Sequence, residues 1–381
     1  MSTGTPFLKN VTPNNLLFPS FPSRFGVEDL NRLLVWGSDL GVSDFDLMID
    51  QPPWVSISGR RYPVANRPLS YGEMRLLADA VAKSAANNSM ACGDAVNCSH
   101  EVILRRDERL RFRVNMQAVL GDGQDGINMT FRALAAIPPL FSDLGVEQVI
   151  VDNFRQPNGL TTVSGPTGSG KSTLMAAGIH EDIRDESCHR KWVTIESPIE
   201  YTFHRVMRTS ALIMQSEVPR HISSFSRAVE EAMRRKPDAI LVGECRDHAT
   251  ISACLDAAMT GHQTVTTLHS NGVPESVRRI VTFFPVEERT SRCLQLAESL
   301  RLMVTQILIP TVDGGRAACR EILLFDQAMR ERLIGAPIDT WGVEIKAMLR
   351  SYGQPMIEAV HRLWRDERID AKTWQMYERQ A

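Results

Sequence analysis

The segment GPTGSGKS at residues 165–172 constrains the fold more than any other stretch of the chain. It matches G-x-x-x-x-G-K-[ST] at every fixed position, follows the apolar, β-branched stretch LTTVS and opens the helical pattern KSTLMAAGIHEDI. Glycines let the backbone wrap inward, so that N–H groups and the positive end of the helix face one point. The pattern predicts a phosphate-binding loop. An ordinary glycine-rich turn is the alternative, and the flanking strand and helix disfavour it.

The loop residues predict the binding of a nucleoside triphosphate. The Lys171 ammonium would neutralise the β- and γ-phosphates, and the Ser172 hydroxyl would ligate Mg²⁺, directly or through water. The expected cofactors are therefore ATP and Mg²⁺. The predicted nucleotide-binding residues are Gly165, Pro166, Thr167, Gly168, Ser169, Gly170, Lys171, Ser172 and Thr173.

Short apolar strands alternate with helical patterns in the second part of the chain. The strands read GLTTVSG, KWVTIES, DAILVGE and QTVTTLHS. This alternation predicts an α/β domain whose parallel sheet is covered on both faces. Ligands of such sheets collect at the carboxyl ends of the strands, so the residues that end these strands are candidate site residues.

Three of these strands end on residues that can carry chemistry: Glu196, Glu244 and His269. DAILVGE resembles a segment whose acidic residue meets the Mg²⁺ shell, which assigns Glu244 to the metal. Glu196 would then orient the attacking water. The alternative is that both carboxylates are solvated strand-end charges. His269 is interpreted as a γ-phosphate sensor, an interface contact or a structural residue; a metal site shared with His262 is disfavoured by their spacing.

Upstream, the segment RRDERLRFRVN is rich in arginine. Arg111 and Arg113 alternate on one strand face, and Arg132 follows in FRALAAIP. These side chains belong either to a solvated, charged strand or to arginine fingers that reach a γ-phosphate across a cleft.

The length of 381 residues predicts two domains. Strand patterns (FDLMID, WVSISG, LRFRVNMQAV) and the helix SYGEMRLLADAVAKSA, with Ser70 as its N-cap, predict a small α+β module. The expected organisation is a flexible arm at 1–25, the α+β domain at 26–133, a linker at 134–145, and an ATPase domain at 146–381 that is helical from about 325.

Composition excludes several classes of protein. A net charge of -2 provides no global field toward nucleic acid, so no direct nucleic-acid partner is expected. The seven cysteines form no CxxC pair and predict small core residues in a reducing compartment. No apolar run of about 18 residues is present in the sequence, so no transmembrane segment is expected and the chain is interpreted as cytoplasmic.

Six motifs occur in an order that resembles the secretion-superfamily hexameric ATPases. VSDFDLMIDQPPWVSISGR resembles their N-terminal signature, RFRVN and FRALAAIPP their arginine-bearing strands, and GPTGSGKST their Walker A motif. TIESPIEY resembles the Asp box, RRKPDAILVGECRD the Walker B motif and TGHQTVTTLHSN the His box. The family includes pilus-retraction (PilT-type), type II secretion and type IV secretion or conjugation motors.

The resemblance implies a PAS-like N-terminal domain, a RecA-like ATPase domain and a homohexameric ring. It implies a water-orienting role for Glu196, the Walker B role for Glu244, and the second His-box position for His269. It also implies that Arg111, Arg113 and Arg132 reach the nucleotide from the N-terminal domain.

Departures from the family pattern refine this interpretation. Ser197 replaces the Asp of the Glu-Asp-Pro box, QAMRERLIG matches the retraction motif only in part, and the tetracysteine zinc loop is absent from the sequence. The chain most resembles the type IVB secretion and conjugation (DotB/TraJ-type) ATPases, which implies a motor recruited to inner-membrane components of a secretion or DNA-transfer machine. The alternatives are a pilus-retraction motor, a RecA-like enzyme acting on nucleic acid, and a small-molecule kinase.

Overall fold

The chain forms two compact units, Met1–Ala136 and Ile137–Ala381. The computed structural model describes residues 16–57, 59–82, 86–106, 108–121, 123, 125–134 and 137–379. The division between the units falls inside the predicted linker, 134–145. Among the described helices, none is long and apolar enough to cross a membrane.

The first unit is an antiparallel sheet with helices, the expected α+β arrangement. Its sheet has the order β3-β2-β1-β6-β5-β4. The strands are β1 (Asp44–Met48), β2 (Trp54–Ile57), β3 (Arg60–Pro63), β4 (Val96–Arg105), β5 (Glu108–Leu120) and β6 (Asp125–Leu134), and the helices are α1 (Val27–Asp39), α2 (Tyr71–Ala82) and α3 (Ala86–Ala91). Phe45, Phe112 and Phe131 are completely buried and form the centre of its core.

Helix α2 begins where the sequence predicts, because Ser70 and Glu73 cap it reciprocally. The Glu73 amide donates to Ser70 Oγ at 3.4 Å, and the Ser70 amide donates to Glu73 Oε2 at 2.8 Å. Burial alone would raise the pKa of the Glu73 carboxyl, but hydrogen bonds from Arg67, Ser70 and Phe25 lower that pKa to about 2. The Glu73 carboxylate therefore links helix α2 to Phe25, in the segment before α1.

The segment at residues 16–25 differs from the flexible arm that its composition predicts. Leu16, Phe18 and Phe25 are buried in the core of the first unit, and the Phe18 amide donates to the carbonyl of Val64 at 2.8 Å. The apolar residues between the prolines provide enough buried surface to pack this stretch. Residues 1–15 of the predicted arm lie outside the described residues.

The second unit is built on a sheet of the order β13-β12-β7-β11-β10-β8-β9. All neighbouring strands are parallel except the hairpin of β12 and β13, which is antiparallel. The strands are β7 (Gly159–Ser164), β8 (Lys191–Glu196), β9 (Leu212–Glu217), β10 (Ala239–Val242), β11 (Gln263–Leu268), β12 (Leu300–Pro310) and β13 (Arg316–Leu324).

Helices cover both faces of this sheet, which confirms the predicted α/β class. They are α4 (Gln148–Asn153), α5 (Lys171–Arg184), α6 (Phe225–Met233), α7 (His248–Met259), α8 (Val273–Phe283), α9 (Val286–Ser299), α10 (Gln327–Gly335), α11 (Trp341–Tyr352), α12 (Met356–Arg365) and α13 (Ala371–Glu378). One core packs α5 with Trp192 and Phe154, and the other packs α6 to α11 with Leu160 and Trp341. Strands β7, β10 and β11 are buried along their whole length, as central parallel strands require.

Three strands of this sheet were not identified as strands from the sequence. These are β9, β12 and β13, of which β12 and β13 form an antiparallel hairpin. The chain is helical after β13, as predicted from about residue 325. Five of the seven cysteines are buried, Cys98 is half-buried and Cys92 is exposed.

Candidate nucleotide-binding site

The predicted phosphate loop lies between the end of β7 and the start of the 14-residue helix α5. Gly165, Gly168 and Gly170 have positive φ values of 141°, 77° and 84°, which L side chains rarely adopt. A Cβ atom at Gly165 would also clash with the backbone carbonyl of Gln306. The glycines therefore shape a narrow loop at the N-terminus of a helix, where backbone N–H groups can bind an anion.

Lys171 lies at the base of this loop and is only 8% exposed. Its Nζ donates to the carbonyls of Gly165 at 2.8 Å and Pro166 at 2.9 Å. Burial lowers the pKa of the Lys171 ammonium, whereas the nearby carboxylates of Glu244 and Glu200 raise it. A cation is thus held where the phosphate chain of a nucleotide would enter the loop.

The three strand-end residues lie along the edge that carries the phosphate loop. The sheet order β7-β11-β10-β8 places the end of β7 beside His269, which follows β11. Glu244 comes two residues after β10, and Glu196 is the last residue of β8. Because these strands are parallel, their carboxyl ends share one edge.

Glu244 and His269 are in direct contact. His269 Nε2 lies 3.0 Å from Glu244 Oε1, and Arg246 forms an ion pair with the same carboxylate. The Glu244 side chain is 17% exposed, so one side remains open to solvent. Asp247, which the sequence places near this group, instead caps helix α7 by accepting from the Thr250 amide at 2.8 Å.

Glu196 is half-buried at the end of β8 and accepts two side-chain hydrogen bonds. Its Oε1 accepts from Thr194 Oγ1 at 2.7 Å and from Gln215 Nε2 at 3.3 Å. Burial raises the pKa of the Glu196 carboxyl to about 7, in spite of these hydrogen bonds. A carboxylate that exchanges its proton near neutral pH is suited to act as a general base.

The residues at this edge fit a nucleotide with Mg²⁺. The glycine cradle and Lys171 suit a phosphate chain, and the Ser169 hydroxyl is buried with no hydrogen-bond partner among the described residues. Ser172, at the first turn of α5, and Glu244 supply the oxygen ligands that Mg²⁺ prefers. These residues could hold ATP and its metal ion.

Other predicted residues are not part of this edge. His262 lies at the opposite end of β11, where its Nδ1 is 3.1 Å from the carbonyl of Ala257. The three candidate arginines belong to the first unit.

The three arginines differ in their surroundings. The Arg111 side chain is 5% exposed and its Nε donates to Glu101 at 3.1 Å. The Arg132 side chain is 66% exposed and pairs with Asp44 at 2.7 Å. Arg113 lies opposite Arg132 on β5 and β6, is half-buried, and makes no ion pair within the part of the chain that the structure describes. Arg111 is therefore engaged inside its own unit, which does not suit an arginine finger.

Sequence reasoning missed three residues around the site. Gln215 on β9 contacts Glu196, and the Tyr201 hydroxyl lies 3.0 Å from Thr173 Oγ1. Gln306 on β12 contacts the phosphate loop itself through Ser169. Of these three, only Gln306 has a signal in the sequence, because it is a polar residue within the apolar stretch LMVTQILI.

A phosphate loop between a parallel strand and a helix, with acidic residues at the same sheet edge, defines the class of P-loop nucleotide-binding proteins. Residues 124–361 match the family model described as "Type II/IV secretion system protein". The chain belongs to this family, and the resemblance to secretion-superfamily ATPases inferred from the motifs is confirmed.

Similar proteins include a pilus ATPase and the ATPase DotB. The type IV pilus retractation ATPase PilT of Pseudomonas aeruginosa is 33% identical over 302 residues, which cover 79% of this chain and 84% of that protein. The X-ray structure of the Legionella pneumophila ATPase DotB matches with a TM-score of 0.82 at 36% identity, covering 96% of this chain and 99% of DotB. The crystal structure of the pilus retraction motor PilT with bound ADP matches with a TM-score of 0.78 at 29% identity, covering 91% and 95%.

Proposed function

We propose that this chain is a Mg²⁺-dependent ATP hydrolase that works as a homohexamer in the cytoplasm and powers a type IVB-like secretion or conjugative DNA-transfer machine. One observation carries the proposal: the phosphate loop, Glu244 and Glu196 share the carboxyl edge of one parallel sheet. That arrangement supplies a phosphate cradle, a metal ligand and a base within one site.

Each residue at the edge has a distinct role in the proposed reaction. The loop amides and Lys171 bind the phosphates, and Ser172 with Glu244 would hold Mg²⁺, which would supply positive charge beside the phosphate oxygens. Glu196 orients the attacking water and accepts its proton, for which the carboxylate must be ionised. His269, in contact with Glu244, reports on the presence of the γ-phosphate.

We propose that an arginine of the first unit, from this or another copy of the chain, stabilises the charge that develops on the transferred phosphoryl group. Arg113 is the preferred candidate, because Arg111 is buried against Glu101. Arg132 is exposed and adjacent to Arg113, so it is the second candidate.

The choice of machine rests on similarity and on one residue. The match to DotB extends over nearly the whole of both chains, and Ser197 replaces the second acid of the Asp box. In the assembly we propose, the ring is recruited peripherally to inner-membrane components of the machine. A pilus-retraction motor is the alternative, favoured by the 33% identity to PilT.

ATP hydrolysis is tested by phosphate release from the full chain with Mg²⁺. We expect turnover by the unchanged protein, and at least about 100-fold less in Lys171→Ala, because the cation at the base of the loop is lost. The matched control is Lys346→Ala, a lysine on helix α11. Equal rates in the unchanged protein and Lys171→Ala would show that the measured hydrolysis is not at this site.

The choice between the two machines is tested in the cell. Deletion of the gene should abolish DNA or protein transfer, and complementation with the unchanged chain should restore it. Intact transfer with lost twitching would reject the secretion or conjugation role and support retraction.

A further inference from the structure

Gln306 is a buried polar residue in contact with the phosphate loop. It is 3% exposed and lies on β12, the parallel neighbour of β7. Its Nε2 donates to the carbonyl of Ser169 at 2.6 Å. A Cβ atom at Gly165 would clash with the Gln306 backbone, and one at Gly170 would lie 2.9 Å from its Nε2. Both ends of the loop are therefore packed against this one residue.

Arg320 fixes the orientation of the Gln306 amide. The two residues are directly opposite each other in the β12–β13 register, and Arg320 Nε donates to Gln306 Oε1 at 2.7 Å. A guanidinium can only donate, so it selects the amide oxygen and turns the NH₂ group toward Ser169. The loop contact thus depends on the arginine behind it.

Arg320 is itself held rigidly. It is 1% exposed, and its Nη1 donates to Glu147 Oε2 at 2.8 Å and to the carbonyl of Gly145 at 3.2 Å. The buried charge is therefore paired and hydrogen-bonded, as burial requires. Gln354 donates to the carbonyl of Arg320 at 2.8 Å and closes the network on the far side.

We propose that Gln306 and Arg320 are positioning residues that hold the phosphate loop in its nucleotide-binding conformation. Both side chains are almost completely buried, so they would act on the substrate through the loop. Gln306 restrains the carbonyl of Ser169, so that the following N–H groups at the start of α5 remain directed at the phosphates. The proposal rests on the proposed function, because it assumes that the loop binds ATP.

The variant Gln306→Glu separates this role from a purely structural one. The carboxylate still accepts from Arg320, but it has no hydrogen to donate to Ser169. We expect the KM for ATP and the Kd for a fluorescent N-methylanthraniloyl ATP each to rise about tenfold or more, with kcat at saturating ATP within about threefold. Gln306→Leu, which removes both hydrogen bonds, should show the same rise. Gln327→Ala, at an exposed glutamine on α10, is the matched control and should leave the KM unchanged.

Thermal unfolding without nucleotide shows whether each variant is folded. A KM and Kd within twofold of the unchanged values in folded Gln306→Glu and Gln306→Leu would overturn the positioning role, while hydrolysis by the unchanged protein would leave the proposed function intact. Loss of active protein in both variants, with an unaltered KM in the remainder, would also overturn it. If the unchanged protein binds ATP without hydrolysing it, the Kd still decides the positioning role. If it binds no ATP, both proposals fail.

Discussion

At the scale of single residues, the proposed site depends on the carboxyl group of Glu196, whose pKa is raised to about 7. Glu196 ends a buried strand, and its two hydrogen bonds do not offset the cost of removing the charge from water. The same desolvation that makes the carboxylate a better base makes its ionisation unfavourable in the folded protein.

The raised pKa of Glu196 predicts a pH-dependent difference between the unchanged protein and Glu196→Gln. Because the folded pKa is about 7, above the ordinary 4.5, the folded state favours the protonated carboxyl. The unchanged protein therefore loses stability as the pH rises from about 4.5 through 7, and the amide does not. The free energy of unfolding of Glu196→Gln, relative to that of the unchanged protein, should therefore increase by up to about 3 kcal/mol over this pH range. One pKa unit corresponds to about 1.4 kcal/mol.

Urea titrations of both proteins without nucleotide, at pH 5 and pH 8, measure this difference. A difference in the free energy of unfolding that is the same at both pH values would contradict the raised pKa.

Substitutions at two glycines of the phosphate loop distinguish the effect of backbone strain from that of a steric clash. Both have positive φ, but an added Cβ meets a backbone carbonyl at Gly165 and open space at Gly168. Gly168→Ala should weaken ATP binding by no more than about 30-fold, since a strained alanine costs roughly 1–2 kcal/mol and 1.4 kcal/mol is about tenfold. Gly165→Ala should weaken it by more, because the carbonyl of Gln306 must also move. Titration with labelled ATP compares them, and equal effects would argue against the close approach of β12.

At the scale of elements, the strands β5 and β6 present arginines with unequal freedom. Arg111 is held by Glu101, whereas Arg113 lies beside Arg132 across the two strands. Arg132 is paired with Asp44, whereas Arg113 makes no ion pair among the described residues, so Arg113 is the arginine of the two that can bind an anion without losing an ion pair.

The different surroundings of Arg113 and Arg111 predict different outcomes when each is replaced by alanine. Arg113→Ala should lower kcat for ATP hydrolysis by about 1000-fold, the usual range for an arginine finger, and leave the Kd for ATP within about threefold. Arg111→Ala should instead lower the thermal midpoint of the first unit, because a buried side chain is removed and Glu101 keeps only its ion pair with Arg109. Phosphate-release assays and calorimetry distinguish the two. A normal kcat in Arg113→Ala would move the finger role to Arg132.

The elements also show where sequence reasoning succeeds and where it stops. The strand, loop and helix of the phosphate site were predictable, because glycine spacing and apolar runs are local signals. Strand β12 was missed because helix α9 ends at Ser299 and the strand begins at Leu300, so no turn residue separates them. The contact of Gln306 with Ser169 joins residues 137 positions apart, and no local pattern predicts it.

At the scale of the whole molecule, two units contribute different parts of the proposed reaction. The second unit carries the phosphate loop and both carboxylates, and the first carries the arginines. The proposed function therefore requires both units for turnover, and the second unit for nucleotide binding.

The most direct test of this account is the turnover of Glu196→Gln compared with its nucleotide binding. We expect phosphate release by the assembled full chain with Mg²⁺ to fall by at least about 1000-fold, because the amide cannot accept a proton from water. The Kd for labelled ATP should stay within about threefold, since Lys171 and the loop are unchanged. Glu200→Gln is the neighbouring control and should retain turnover. Substantial hydrolysis by Glu196→Gln would contradict the assignment of the catalytic base.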